Sequence, residues 1–328
     1  MRTGSRPGIR GQAEETDGGQ SKPDKARSGE PPGVRLMLDY LMLKAISPVH
    51  PTLAAHWVNR RFWLHPQRLP PRPDESQYRR SASRFSLECA GRRLAAYRWG
   101  AGVPVLLVHG WNGRSTQMGA FIEPLVRLGF RVLAFDAPAH GDSPGSHTDF
   151  PQIAEIIEDI AAKHGPLHSI VAHCAGCVPT LLALGRATPV KRAVFISPFA
   201  QLDNQLQSLA HKLRLRPRVA REQRRLLEAI YGQDFYKTYS PAAMVPNLAA
   251  LGLVIHDRDD REVPVEEGRL VASRWPKATF VDTNGLGHYR LLRDPAVVQM
   301  VTDFIAAGGE PQTARESSQE SWSGRSGA

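Results

Sequence analysis

Short apolar runs, each closed by glycine, proline or a polar cluster, alternate with amphipathic stretches over most of this chain. Pro104–His109, Arg131–Asp136, Leu167–Cys174 and Lys191–Ser197 are continuous runs of aliphatic and aromatic residues, the pattern of strands buried on both faces. Helices are predicted around Thr116–Leu128, Pro151–Lys163, Glu266–Trp275 and Ala296–Ala306. Strand and helix in turn predict an α/β fold, a mainly parallel sheet with helices on both faces. Two shorter strands, about Arg84–Cys89 and Arg93–Arg98, precede it as a hairpin turning at Ala90-Gly91. From about Pro198 to Leu248 the rhythm stops. That insertion is helical in pattern, polar and basic, and its place between two strands puts it over the carboxyl edge of the sheet as a lid.

Residues 1–33 are rich in Gly, Pro, Ser, Arg and Glu without an apolar run, and 309–328 are similar, so both are expected to be disordered tails. Val34–Ile46 reads as a helix ended by Ser47-Pro48. A second helix runs from about Pro51 to Trp63 with proline in its first turn, and a proline- and arginine-rich linker follows. Residues 34–80 are thus expected to dock outside a main domain spanning 81–308, with its lid at 198–248. Binding at a membrane surface is the alternative for these helices.

Charge and cysteine content narrow the class. The 42 Lys and Arg against 32 Asp and Glu leave a net charge of +10. The excess lies between Arg60 and Arg98 and in the lid, and no nucleic-acid motif accompanies it, so a solvated basic surface is expected and no nucleic-acid partner. Three cysteines are too few for a disulfide framework. No signal-peptide run opens the chain and no run of about 18 apolar residues occurs, so a cytoplasmic protein without stable membrane insertion is expected. Histidines, cysteines and carboxylates do not fall in metal-ligand spacings, and no phosphate-cradling glycine loop is present, so no metal or other cofactor is expected.

The candidate chemistry centres on Ser169-Ile170-Val171-Ala172-His173-Cys174-Ala175-Gly176-Cys177, a buried strand entering a helix through a small-x-nucleophile-x-small turn. The small residues two positions either side let strand and helix pass closely around a strained central residue. Cys174 then stands at a helix amino end, a setting that favours thiolate over thiol. Two further strand ends carry reactive residues: Leu253 to Pro264, with Asp257, Asp259 and Asp260, and Ala278 to His288, ending Asn-Gly-Leu-Gly-His. Nucleophile, acid and histidine follow in that order.

With these motifs the chain from about Arg84 to Ala306 resembles the α/β-hydrolase superfamily, and within it bacterial hydrolases with His-Gly-Trp and Gly-Leu-Gly-His signatures. The resemblance places the oxyanion loop at Val108-His109-Gly110-Trp111 and the Asp-x-x-x-x-Gly-x-Ser turn at Asp136–Ser143. It implies a triad of Cys174, Asp260 and His288, with Asp257 and Asp259 as rivals for the acid, and an oxyanion hole from the backbone N–H groups of Trp111 and Ala175. His109 and His140 are read as structural ties between loops, and His173 as packing. Such hydrolases usually carry serine where Cys174 stands.

The expected activity is cofactor-independent hydrolysis of an ester, lactone or thioester, with a small-molecule acyl substrate as the partner. A cysteine elbow also resembles those of dienelactone hydrolases and polyhydroxyalkanoate synthases, which makes acyl transfer to an alcohol the near alternative. An inactive binding protein with the same fold, and redox sensing through Cys174 and Cys177, are the others. Arg214, Arg216 and Arg290 are candidates for holding an anionic substrate.

Overall fold

The computed structural model describes residues 34–307 apart from 90 and 187, so the expected disordered tails lie outside the described residues. Chain contacts separate a unit ending at Met42, of which the opening of helix Val34–Ile46 is described, from a unit running from Leu43 onward. The second unit carries everything below.

Its strands are β1 (Ser83–Arg84), β2 (Glu88–Cys89), β3 (Arg92–Arg93), β4 (Ala96–Trp99), β5 (Pro104–Val108), β6 (Arg131–Phe135), β7 (Ser169–His173), β8 (Arg192–Ile196), β9 (Leu251–Asp257) and β10 (Ala278–Thr283). Eight form one sheet in the order β1-β4-β6-β5-β7-β8-β9-β10. The pairs from β6 to β10 are parallel, and β4 and β1 add an antiparallel edge. The predicted hairpin is divided: β1 pairs with β4 in the main sheet while β2 and β3 form a separate two-residue ladder at the tip.

The continuous apolar runs are explained by what covers each face. Leu106, Val108, Ile170, Ala172, Phe195 and Val254 pack on one side with helices Phe150–His164, Cys177–Arg186 and Val265–Arg274. Val105, Leu107, Val171, Val194, Ile196 and Ile255 point the other way, toward helices Ile122–Arg127 and Pro295–Ala306. Each strand residue therefore meets a core, and alternation disappears from the sequence.

The insertion between β8 and β9 folds as helices Leu202–Lys212, Pro217–Tyr231, Phe235–Thr238 and Pro241–Met244. Its apolar side joins Phe150, Ala175 and Val178 in a third cluster, built from Phe199, Leu202, Leu206, Leu227, Phe235, Tyr236 and Tyr239. Several of its basic residues meet acids at the surface, as in Arg224–Asp203 at 2.8 Å and Lys212–Glu262 at 2.9 Å. Such exposed pairs add little stability. Among the described residues no helix is long and apolar enough to cross a membrane.

The turn after β6 is fastened by Asp136, which is 2% exposed. Its Oδ1 accepts from the Ser115 N–H and hydroxyl, both at 2.7 Å, and its Oδ2 from the Asp142 N–H at 2.8 Å. A Cβ on Gly141 would stand 2.2 Å from Oδ2, so only glycine fits there. Asp136→Ala strands the two buried Ser115 donors and frees the Asp142 N–H, and should cost about 2 to 4 kcal/mol, read as a lower midpoint in urea unfolding. A loss below about 1 kcal/mol would mean that water replaces the carboxylate at this turn.

Candidate active site

The parallel strands β5, β7, β9 and β10 deliver their loops to one edge of the sheet, and the residues singled out above meet there. β7 ends at His173, and Cys174 takes a left-handed backbone conformation, φ 49°, before one tight turn leads into helix Cys177–Arg186. The small neighbours are explained by contact. A Cβ on Gly176 would lie 2.5 Å from the His109 carbonyl oxygen, and one on Gly110 would lie 3.2 Å from the Cys174 Cβ. The cysteine side chain is thereby lifted off the sheet to the amino end of the helix.

His288 follows Gly287, itself at φ 64°, in the short helical turn Gly287–Arg290. Its Nδ1–H donates to Asp260 Oδ2 at 2.7 Å, and the Cys174 sulfur stands near enough to the ring to favour its protonated form. Burial alone would lower its pKa. Its interactions with Cys174 and the bond to Asp260 outweigh burial and carry it up to about 10. Burial would raise Asp260, but bonds from His256 and His288 and the Val263 N–H hold it well below the usual carboxylate range. Cys174, His288 and Asp260 are thus one connected chain of groups.

Asp257 and Asp259 are placed otherwise. The Asp257 carboxylate accepts from the Thr283 hydroxyl at 2.6 Å and from the Gly287 and Leu286 N–H groups at 2.8 and 3.1 Å, while Asp259 takes the Gly285 N–H at 2.9 Å. Neither reaches the imidazole; both fasten the loop that presents it.

Two histidines whose bonds the sequence did not disclose support the same network. The ring of His256 bonds the Val263 carbonyl at 2.9 Å and lies 3.3 Å from Asp260 Oδ2. His173, read from sequence as packing, sits with its ring 4.7 Å from that of His288 and its Nε2 3.2 Å from the His288 carbonyl oxygen. Burial, with His288 alongside, drives the pKa of His173 far down, so it stays neutral and donates that bond. The only advance signal was that both precede candidate residues at strand ends.

His109 and His140 do tie loops. His109 Nε2 accepts the Ala137 N–H at 3.0 Å, which leaves Nδ1–H to donate to the Gly110 carbonyl at 2.8 Å. The His140 ring lies between His109 and Trp111, at 5.0 and 5.2 Å. The Trp111 N–H meets no backbone carbonyl among the described residues.

Over Cys174 lies a cavity of about 180 Å³. Trp111, Phe150, Phe199, Tyr231, Phe235 and Tyr239 supply its aromatic wall, and Asp149 and Gln205 are its principal polar side chains. Among the described residues no arginine or lysine lines it. Arg214 and Arg216 are exposed, and Arg290 bonds the carbonyls of Gly285 and Leu286, so the expected anionic site is not formed by these residues. Cys177 lies in the core beneath the elbow with its thiol on the Ala172 carbonyl at 3.6 Å, whereas Cys174 packs with the lid cluster.

The description "Alpha/beta hydrolase family" belongs to a family model that matches residues 105–300, and the chain belongs to that family. Among curated proteins it is 25% identical over 202 residues to the uncharacterized protein YqkD of Bacillus subtilis, a match covering 55% of this chain and 63% of YqkD, under two thirds of that relative's length. Among solved structures, the esterase RhEst1 from Rhodococcus sp. ECU1013 matches with a TM-score of 0.53 and 20% identity over 70% of this chain and all of the esterase. A Pyrococcus furiosus esterase matches with a TM-score of 0.55 and 17% identity over 74% of this chain and 96% of that one. At such identity the two structures speak for the fold.

The coupling of His288 to sulfur gives a direct test. In Cys174→Ala the negative partner is gone, so the imidazolium loses stabilisation and its titration midpoint should fall clearly below about 10. Nitrogen-15 shifts of the labelled ring report it. An unchanged midpoint would show that the sulfur is not the charged partner.

Proposed function

We propose that this protein is an acyl hydrolase in which Cys174 is the nucleophile, His288 the proton carrier, Asp260 its orienting acid, and the Trp111 and Ala175 N–H groups the oxyanion donors. The observation that carries the reading is the continuous path from the Cys174 sulfur through His288 to Asp260, opening onto an apolar cavity. The esterases among the structural relatives, and a thioesterase domain from the curacin pathway, fit the same chemistry.

In this mechanism the thiolate attacks the acyl carbon, forming a carbon–sulfur bond while the carbonyl π pair moves onto oxygen. Two backbone N–H donors offset that charge, a contribution worth about 3 to 4 kcal/mol per donor in sites of this kind. Collapse breaks the bond to the leaving group, which takes the proton from the His288 imidazolium and leaves a thioester. The neutral imidazole then removes a proton from water as its oxygen attacks the thioester. The second collapse releases the acid and restores the thiolate and imidazolium. Asp260 keeps Nδ1–H engaged, which points Nε2 at the reacting atoms throughout.

Cavity size and polarity define the acyl group. An apolar cavity of about 150 Å³ takes one benzene, so about 180 Å³ suits a phenylacetyl group or a chain of about six carbons. The Asp149 carboxylate at the wall opposes acyl groups that bear a negative charge.

Intact mass after brief mixing with p-nitrophenyl hexanoate should show a hexanoyl adduct on the parent and none on Cys174→Ala. Turnover should be greater for hexanoate and phenylacetate than for acetate or dodecanoate. If the parent forms no adduct with any of these esters while folded, the hydrolase reading fails. If an added alcohol takes the acyl group in place of water, the protein is an acyltransferase with the same triad.

A further inference from the structure

Four of the five described non-glycine residues with left-handed backbone lie just beyond the carboxyl ends of parallel strands: Asn112 after β5, Ala139 after β6, Cys174 after β7 and Ser197 after β8. Such conformations cost about 1 to 3 kcal/mol each and persist where the surroundings over-determine them. Asn112 and Ala139 border the oxyanion loop on either side, and both are tied to one segment outside the family-matched residues. That segment is the proline- and arginine-rich stretch read from sequence as a linker.

The Gln67 N–H donates to the Asn112 side-chain oxygen at 2.6 Å. The Arg68 guanidinium donates to three carbonyls of the turn after β6: Ala139 at 3.2 Å, Ser143 at 2.5 Å and Gly145 at 3.1 Å. Arg114 bonds the Leu69 carbonyl from the other side. Seven residues on from Arg68, Glu75 is 2% exposed, accepts the Thr116 hydroxyl at 2.8 Å and lies 3.7 Å from Arg114 and 3.8 Å from Arg72. A buried carboxylate ringed by two guanidiniums and a hydroxyl is a fixed anchor, not a spacer's side chain. The segment crosses both loops and is bonded to each.

These ties converge on Trp111. Asn112 is its neighbour in the chain, and His140, next to the clamped Ala139, carries its ring. We propose that residues 67–75 form an intramolecular strap that sets the position of the Trp111 N–H, with Arg68 and Asn112 as positioning residues for the oxyanion hole. The inference rests on the assignment of that N–H as an oxyanion donor. Displacement of a reacting contact by about 1 Å costs on the order of 100-fold in rate, so a loosened strap acts on turnover well before it unfolds the protein.

Two substitutions separate the ties from the fold. Arg68→Met keeps the side-chain stem and deletes the three donated bonds. Asn112→Gly keeps the left-handed backbone without strain and deletes only the acceptor. Each is compared with the parent on p-nitrophenyl hexanoate, on hexanal and on 1-hexanol. Hexanal adds the Cys174 thiolate across its carbonyl, the sulfur bonding carbon and the π pair moving to oxygen, so it engages the hole; hexanol fills the cavity without doing so. The expected result is a fall of about 10- to 100-fold in kcat and in hexanal affinity together, with KM and hexanol affinity within about twofold and Tm nearly unchanged. Arg68→Lys should restore part of the loss. If hexanal affinity holds while Tm falls, the strap is structural and the positioning role is overturned. Should Arg68→Met fail to fold, Asn112→Gly decides alone. A parent that forms no acyl adduct overturns the hydrolase reading, and this inference with it; an active parent with unaffected variants overturns the strap alone.

Discussion

The left-handed turn at Cys174 is the constraint on which the rest of the site depends. A non-glycine residue at φ 49° is held there only by what surrounds it, and the surroundings are backbone. Gly176 lies against the carbonyl oxygens of β5's end, and Gly110 lies against the cysteine's own Cβ. β5 and β7 must therefore be adjacent, parallel and in register, as the pairing of Val108 with Ala172 makes them. The pairing of β5 with β7, the elbow and the path of the Val108–Trp111 loop are linked by one close approach. The same sheet edge gathers the left-handed residues at the ends of β5, β6 and β8, so strain is concentrated where ligands of open parallel sheets bind.

Around that turn the acidic loop after β9 divides its work by geometry. Asp260 faces the imidazole, while Asp257 and Asp259 face backbone N–H groups of the loop that carries it. Burial would raise Asp257, yet the Thr283 hydroxyl and the Gly287, Leu286 and Asp259 N–H groups hold it below its ordinary value. An ionised Asp257 is thus part of what fixes His288, although it never touches the ring. The neutral histidines His109, His140 and His173 complete the frame as uncharged donors and acceptors, because burial suppresses their protonation.

The mainly parallel sheet and the placing of Cys174, Asp260 and His288 at strand ends were legible because they depend on local pattern: fully buried runs, a small-x-Cys-x-small turn, and reactive residues just beyond apolar runs. What the sequence hid was partnership across the chain. The resemblance pointed to Asp260 but left Asp257 and Asp259 as rivals, and the approach of the Gly285–His288 loop separates the three. Arg214, Arg216 and Arg290 looked suited to an anion because charge is visible in a sequence, while the aromatic wall from Phe150, Phe199 and the lid is assembled from separate segments. Arg68 and Glu75 read as linker because their partners lie more than forty residues on, beyond the reach of any periodicity.

A cysteine in place of serine alters what the apolar cavity does. A serine hydroxyl stays neutral until attack, so its site develops charge during reaction. On the proposed reading the attacking Cys174 sulfur and the His288 imidazolium form a pair of opposite charges, with Asp260 bonded to the far side of the ring. Such a pair tolerates an apolar surround as long as both members are present, since each removes most of the other's desolvation cost. A neutral acyl group entering the cavity leaves that balance intact and excludes water from it, which strengthens the attraction that holds the pair. A carboxylate entering beside Asp149 would add a negative charge without a counter-ion near it, since among the described residues no lysine or arginine lines the wall. On the proposed reading, selectivity for neutral apolar acyl groups and stabilisation of the charged Cys174–His288 pair during attack are therefore one electrostatic property of the cavity.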